Sequence, residues 1–96
     1  MKKYQEILKL KKMLEKANIP FVFTTKFDGY QIRLNDECDA VEFNGTYGAE
    51  DDLIEIMGAL TSYESFNDDV CGHLTAKEVF TRWKYCYENS TAIYEA

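Results

Sequence analysis

The 96-residue chain has no long apolar run, a single Pro, a single His, and three Cys that lie far apart. Without about 20 consecutive apolar residues, it offers no candidate membrane-spanning helix. It also has no Pro-rich or Gly-rich stretch of the kind that links domains. Because its length is typical of one domain, we expect a single α+β domain that covers residues 1–96.

The three cysteines, Cys38, Cys71 and Cys86, are odd in number, and no two form a Cys-x-x-Cys pair. This pattern argues against a secreted disulfide framework and for reduced thiols, so we expect a cytoplasmic protein. The chain begins with Lys2 and Lys3, as a signal peptide can, but further lysines interrupt the apolar residues that follow. We therefore expect no signal peptide.

The formal net charge of −6 is unevenly distributed. Residues 1–27 carry seven Lys and two Glu, whereas residues 28–69 carry twelve acidic residues and only Arg33 as a basic one, a net charge of −11. An acidic surface attracts basic partners and repels nucleic acid. We therefore predict a basic protein partner, no direct binding of nucleic acid and no membrane association.

The apolar periodicity predicts an α+β fold: a helix, a three-stranded antiparallel meander, and then two helices packed on one face of the sheet. Residues 4–17 have the spacing of an amphipathic helix that carries Lys on its polar side, and Pro20 prevents its continuation.

A change to period 2 after Pro20 predicts the meander. Asp28-Gly29 is typical of a type I′ turn, which would place Phe27 opposite Tyr30 and leave one apolar surface on the hairpin. Val41 and Phe43 then alternate with Glu42 and predict a short third strand whose Glu42 points away from the core.

Two further helices are predicted after the meander. An apolar stripe from Leu53 to Leu60 predicts the first, with acidic residues 50–52 at the positive end of its dipole. Residues 61–73 are predicted to be a mostly polar connection, with a short helical turn around residues 62–66. Thr75 and Glu78 form a capping-box sequence that predicts the start of the last helix.

The segment Asp68-Asp69-Val70-Cys71-Gly72-His73 places several chemically capable side chains close together. We interpret it as a turn that approaches the last helix, and we expect no metal, cofactor or catalytic residue. A Cys–His nucleophile needs a third group that orients the His, and a metal needs three or four ligands. The alternative is a small enzyme or ligand-binding domain with a site near Cys71 and His73, bordered by the loop that contains Tyr47.

Three stretches, Phe27–Ile32, Asp52–Gly58 and Gly72–Phe80, together resemble sequences of small acidic proteins encoded in bacterial prophages. The resemblance extends from about Leu10 to Tyr87. It implies a phage accessory protein that acts in the bacterial cytoplasm, and it brings no activity and no catalytic residue.

We therefore predict a non-enzymatic interaction protein that binds a basic partner through a continuous acidic surface formed by residues 28–69, with nucleic-acid mimicry as one version of this function. The exposed edge strands of a meander also leave homo-oligomers open. The residues predicted to bind the partner are Asp36, Glu37, Asp39, Glu42, Glu50, Asp51, Asp52 and Glu55.

Overall fold

The structure, a computed structural model, describes residues 3–95 and has an α+β fold with a five-stranded antiparallel sheet. The strands are ordered β1-β2-β3-β4-β5, so each strand pairs with its neighbours in sequence. The elements are α1 (Gln5–Lys16), β1 (Val22–Lys26), β2 (Gly29–Arg33), β3 (Asp39–Glu42), a 3₁₀ helix (Ala49–Asp51), β4 (Ile54–Met57), α2 (Ser62–Asn67), β5 (Val70–Leu74) and α3 (Ala76–Asn89). Lys2, which belongs to the basic N-terminal segment, lies outside the described residues.

Helices α1 and α3 pack against each other and against one face of the sheet. The alternation of strand side chains turns every second residue of the sheet toward these helices. The result is one core between the sheet and the two helices, formed chiefly by Ile7, Leu10, Leu14, Ile32, Ile54, Ile56, Val79 and Trp83. Because both long helices lie on one face, no long helix of residues 3–95 covers the opposite face of the sheet.

The turn of the first hairpin lies one residue earlier than predicted, so Tyr30 pairs with Thr25 instead of Phe27. Lys26 pairs with Gly29, and the two loop residues are Phe27 and Asp28. The positive φ of 53° is at Phe27, whose side chain is 83% exposed, so the type I′ turn and the pairing of Phe27 with Tyr30 are wrong. Gly29 is the first residue of β2. This position requires Gly because a Cβ there would lie 1.9 Å from the backbone oxygen of Glu42 on β3.

The helix predicted from Leu53 to Leu60 is a strand, β4, preceded by the short 3₁₀ helix. Ile54 and Ile56 are both fully buried, which is the period-2 burial of a strand. Gly58, with φ of 77°, ends this element after four residues. The predicted three-stranded sheet is also wrong because residues 70–74, expected to be a connection, form the fifth strand.

The predictions for the first and the last helix are confirmed as α1 and α3. Thr75 and Glu78 form the capping box of α3, in which the Thr75 hydroxyl accepts from the amide of Glu78. The short helical turn expected at residues 62–66 is α2, and it also has a capping box, formed by Thr61 and Glu64.

The connections between successive strands lie at the two ends of the sheet. The β2–β3 turn (residues 34–38) and α2 lie at one end, which we call the α2 end, because antiparallel strands return their connections to alternate ends. The β1–β2 turn and the β3–β4 connection (residues 43–53) lie at the other, which we call the loop end. A hydrogen bond from the Asn44 amide to Asp28 Oδ1, 2.9 Å long, joins the two connections of the loop end.

Candidate interaction surface

Asp36 and Glu37 project from the α2 end and are exposed. The turn that carries them is fixed by Asn35, whose Oδ1 accepts hydrogen bonds from the amides of Glu37 (2.9 Å) and Cys38 (3.0 Å). This is the local side-chain-to-backbone hydrogen bonding for which Asn is favoured in turns. Both carboxylates are therefore free to contact a partner while their backbone is held in place.

Glu50 and Asp51 lie in the 3₁₀ helix at the loop end and are also exposed. They are separated from Asp36 and Glu37 by the length of the strands, which for four or five residues is about 15 Å. The exposed carboxylates of the predicted set thus form two groups, one at each end of the sheet.

Asp39 and Glu55 lie between these two groups, on the open face of the sheet, and are half-buried. Asp39 Oδ2 accepts from Gln31 Nε2 at 2.8 Å, and Glu55 Oε1 accepts from the Tyr47 amide at 2.9 Å. Arg33, which is the neighbour of Asp39 in the register, lies on the same face. The open face therefore carries charges of both signs, and residues 28–69 do not form a purely acidic surface on it.

Glu42 does not belong to the surface, which corrects its assignment as a partner-binding residue. Its side chain is 0% exposed and points into the core, because Tyr30, its neighbour on β2, also lies on the helix-facing side. Its Oε1 accepts a hydrogen bond of 3.1 Å from the amide of Ile7, in the first turn of α1. A polar group in this position is favourable because the first amides of a helix have no partner within the helix.

Asp52 has a structural role beside Glu42. Its Oδ1 accepts from the amide of Glu6 at 3.0 Å, so two carboxylates cap α1, whose N-cap residue Tyr4 supplies no side-chain hydrogen bond.

Burial, and then a hydrogen bond to Asp52, raise the pKa of Glu42 to about 8. Burial opposes ionisation of Asp52, but hydrogen bonds from Glu42 and from backbone amides lower its pKa. The two pKa shifts are opposite in sign, so near neutral pH a proton shared by the pair is favoured on Glu42 and Asp52 is favoured as the ionised group.

The ion pairs among residues 3–95 do not include the exposed carboxylates at the two ends of the sheet. Two of the four join a Lys and a Glu within α1, one joins Lys84 and Glu88 within α3, and one joins Arg82 to Glu64. None of them includes Asp36, Glu37, Glu50 or Asp51. The Lys side chains of α1 belong to the helix layer, on the side of the sheet opposite its open face.

Cys71 and His73 do not act on each other. The Cys71 thiol donates to Glu64 Oε2 at 3.6 Å, and burial followed by the charge of Glu64 raises the pKa of this thiol. His73 is exposed and has φ of 59°, at a bulge where two residues of β5 oppose Glu55. Within the described part of the chain, no group of three or more His, Cys, Asp or Glu side chains is placed to hold a metal ion.

The ion pair between Glu64 and Arg82 is a further polar contact that sequence reasoning missed, besides the capping of α1 by Glu42 and Asp52. Arg82 Nη1 and Nη2 donate to the two oxygens of Glu64 at 2.6 Å and 3.0 Å, and Nη1 also donates to the Ala59 oxygen at 3.1 Å. The bonds from Arg82 to the Glu64 carboxylate lower the pKa of Glu64 to about 2. Thr61-Ser62-Tyr63-Glu64 has the pattern of a capping box and could have identified α2, but no sequence signal links Glu64 to Arg82.

An open cleft of about 440 Å³ lies between the β2–β3 turn and the end of α3. Asp36 and Glu37 line one side, and Tyr87 and residues 90–92 line the other. The cleft extends the acidic part of the α2 end toward an aromatic side chain, which suits contact with a basic side chain.

Comparison of the chain with protein-family models, with curated proteins and with solved structures gives no match in any of the three. The resemblance to prophage-encoded proteins is therefore still an expectation. No helix within residues 3–95 is both long enough and apolar enough to cross a bilayer.

Proposed function

We propose that this protein is a non-enzymatic interaction protein that binds a basic protein partner through the exposed carboxylates at the ends of its sheet. The observation that carries the proposal is that Asp36, Glu37, Glu50 and Asp51 are exposed and belong to none of the ion pairs among residues 3–95. Exposed charges that are not neutralised within a chain increase the rate of encounter with oppositely charged proteins.

The proposal is narrower than the hypothesis drawn from the sequence. It does not include nucleic-acid mimicry, because a mimic needs carboxylates in a row at phosphate-like spacing, and Glu42 and Asp52 are used to cap α1. An enzymatic site at Cys71 and His73 is not proposed either, since the thiol is held as a donor to Glu64 and its pKa is raised.

The test is affinity capture on the immobilised protein from a bacterial lysate, the source that the prophage resemblance implies. Two charge-reversal variants, Asp36→Lys/Glu37→Lys and Glu50→Lys/Asp51→Lys, remove the two acidic groups separately. Asp52 is left unchanged because it caps α1 and its reversal would affect stability.

We expect one or a few basic proteins to be retained at about 50 mM salt and to be released by 0.5 M salt, because the distance over which surface charges act falls from about 14 Å to about 4 Å over this range. We also expect them to be lost from at least one variant. Circular dichroism must show that the variants are folded. A retained protein that is indifferent to both salt and the two reversals would contradict the proposal.

A further inference from the structure

Helix α2 presents two aromatic side chains to solvent. Tyr63 is 79% exposed and Phe66 is 90% exposed, and these positions are neighbours on the helix because they are three residues apart. The helix has no buried residue. Its apolar side therefore faces away from the protein, the reverse of the usual arrangement of a surface helix.

Polar contacts hold α2 in this orientation. The capping box of Thr61 and Glu64 fixes its first turn, and Arg82 binds both oxygens of the same Glu64. Arg82 is fixed in turn by the Ala59 oxygen and by the ring of Tyr94, which lies 5.1 Å from its guanidinium carbon. A six-residue helix is not stable alone in water, so these contacts explain how α2 is held with its aromatic side outward.

The charge beside the two aromatic residues indicates what they could contact. Asp68 and Asp69 follow α2 directly and are exposed, and neither belongs to an ion pair among residues 3–95. Asp36 and Glu37 lie at the same end of the sheet. A second copy of this surface would bring like charges together, whereas a basic surface would neutralise them.

We propose that Tyr63 and Phe66 are the apolar anchor of the interaction surface, and that they bind a basic amphipathic segment of the partner, with apolar side chains against the rings and Lys or Arg beside Asp68 and Asp69. The inference rests on the proposed function, which supplies the basic partner. Exposed aromatic residues are the type that most often contributes a large share of binding energy at interfaces.

The test uses a defined probe, a synthetic amphipathic helical peptide of Leu and Lys, titrated into the ¹⁵N-labelled full chain and followed by amide chemical shifts. Two control peptides separate the contributions: one with Glu in place of Lys, and one with Ser in place of Leu. The test variant is Tyr63→Ser/Phe66→Ser. The matched control is Phe27→Ser, which removes an aromatic residue of similar exposure at the loop end.

We expect the Leu/Lys peptide to shift the amides of residues 62–69 and to bind the double variant at least about 10-fold more weakly, the loss typical of a truncated interface anchor. Phe27→Ser should bind as the unchanged protein does, and both control peptides should bind more weakly. Because both replaced side chains are exposed, the double variant should keep its thermal midpoint.

The inference would be overturned by no binding of the Leu/Lys peptide, by equal affinity for the double variant, or by shifts confined to the loop end. A dimer in sedimentation equilibrium that is lost in the double variant would assign the surface to a second copy and also overturn it.

The failure of the inference and the failure of the proposed function can be told apart. Salt-dependent binding that is insensitive to Tyr63→Ser/Phe66→Ser but sensitive to Asp36→Lys/Glu37→Lys would overturn the inference and leave the proposed function intact. Capture from lysate that is insensitive to salt and to both reversals would instead remove the proposed function.

Discussion

Replacing Glu42 by Gln should remove a loss of stability at alkaline pH that the raised pKa of this buried acid causes in the unchanged protein. Glu42 is fully buried, accepts from the Ile7 amide through Oε1, and has no protein donor for Oε2 within the described residues. A proton on the Glu42 carboxyl group would let it donate to Asp52, the neighbouring carboxylate that raises its pKa. The groups that face the pair carry further negative charge from Glu6 and the positive charge of Lys9.

The sign and the size of the effect follow from the raised pKa. In the unfolded chain Glu42 has a pKa of 4.5, and in the folded protein it is about 8. The folded state therefore binds the proton more tightly, so this group stabilises the fold fully below pH 4.5, and its contribution is lost as the pH rises to about 8. Since one pKa unit corresponds to about 1.4 kcal/mol, the loss is at most about 5 kcal/mol.

Glu42→Gln reproduces the protonated acid, because its amide can accept from Ile7 and donate to Asp52 at every pH. We expect the variant to match the unchanged protein within about 1 kcal/mol at pH 5 and to be more stable than it at pH 8–9. The assay is urea-induced unfolding at one-unit steps from pH 5 to 9 with a thiol reductant present. Glu37→Gln, at an exposed carboxylate, is the control and should leave the pH profile unchanged.

Two results would refute this reasoning. If the free energies of unfolding of the Glu42→Gln variant and the unchanged protein fall in parallel from pH 5 to 8, Glu42 does not carry the proton. If the variant is less stable at pH 9, the ionised carboxylate at the α1 N-terminus is the favourable form.

Three further substitutions test the remaining structural arguments. Gly29→Ala should destabilise the fold by about 2–3 kcal/mol in denaturant unfolding, because its Cβ would meet the β3 backbone, and a cost well below about 1 kcal/mol would contradict a close approach of the strands. Arg82→Met should cost about 2–3 kcal/mol and increase hydrogen exchange in α2 specifically, because it leaves Glu64 partly buried and unpaired; uniform exchange would show that α2 does not depend on this pair. Thr75→Ala should cost about 1 kcal/mol in thermal unfolding while Thr75→Ser costs less, and a larger loss for Ser would argue against the hydroxyl as the cap of α3.

Local sequence signals were sufficient where one segment determines its own structure. Residues 75 and 78 identify the start of α3, and the spacing of residues 4–17 identifies α1, because capping and helical periodicity are local properties. The odd number of cysteines and the acidic balance of residues 28–69 were likewise evident without a structure.

Contacts between distant residues decided the rest. The apolar run from Leu53 to Met57 fits both a helical stripe, through Leu53, Ile56 and Met57, and a buried strand, through Ile54 and Ile56; pairing with β3 and β5 determined which formed. The close approach of β3 requires a Gly at position 29 within β2. The turn of the hairpin lies one residue earlier than the local sequence predicted.

The surface shows the same dependence on distant contacts. Glu42 and Asp52 counted as surface carboxylates in the sequence, but in the fold they cap α1 across 35 and 46 residues. The sequence by itself determined the fold class, the terminal helices and the amount of negative charge. Only the tertiary structure decided which carboxylates reach solvent, because that depends on strand register, and a shift of one residue moves a side chain from one face of a sheet to the other.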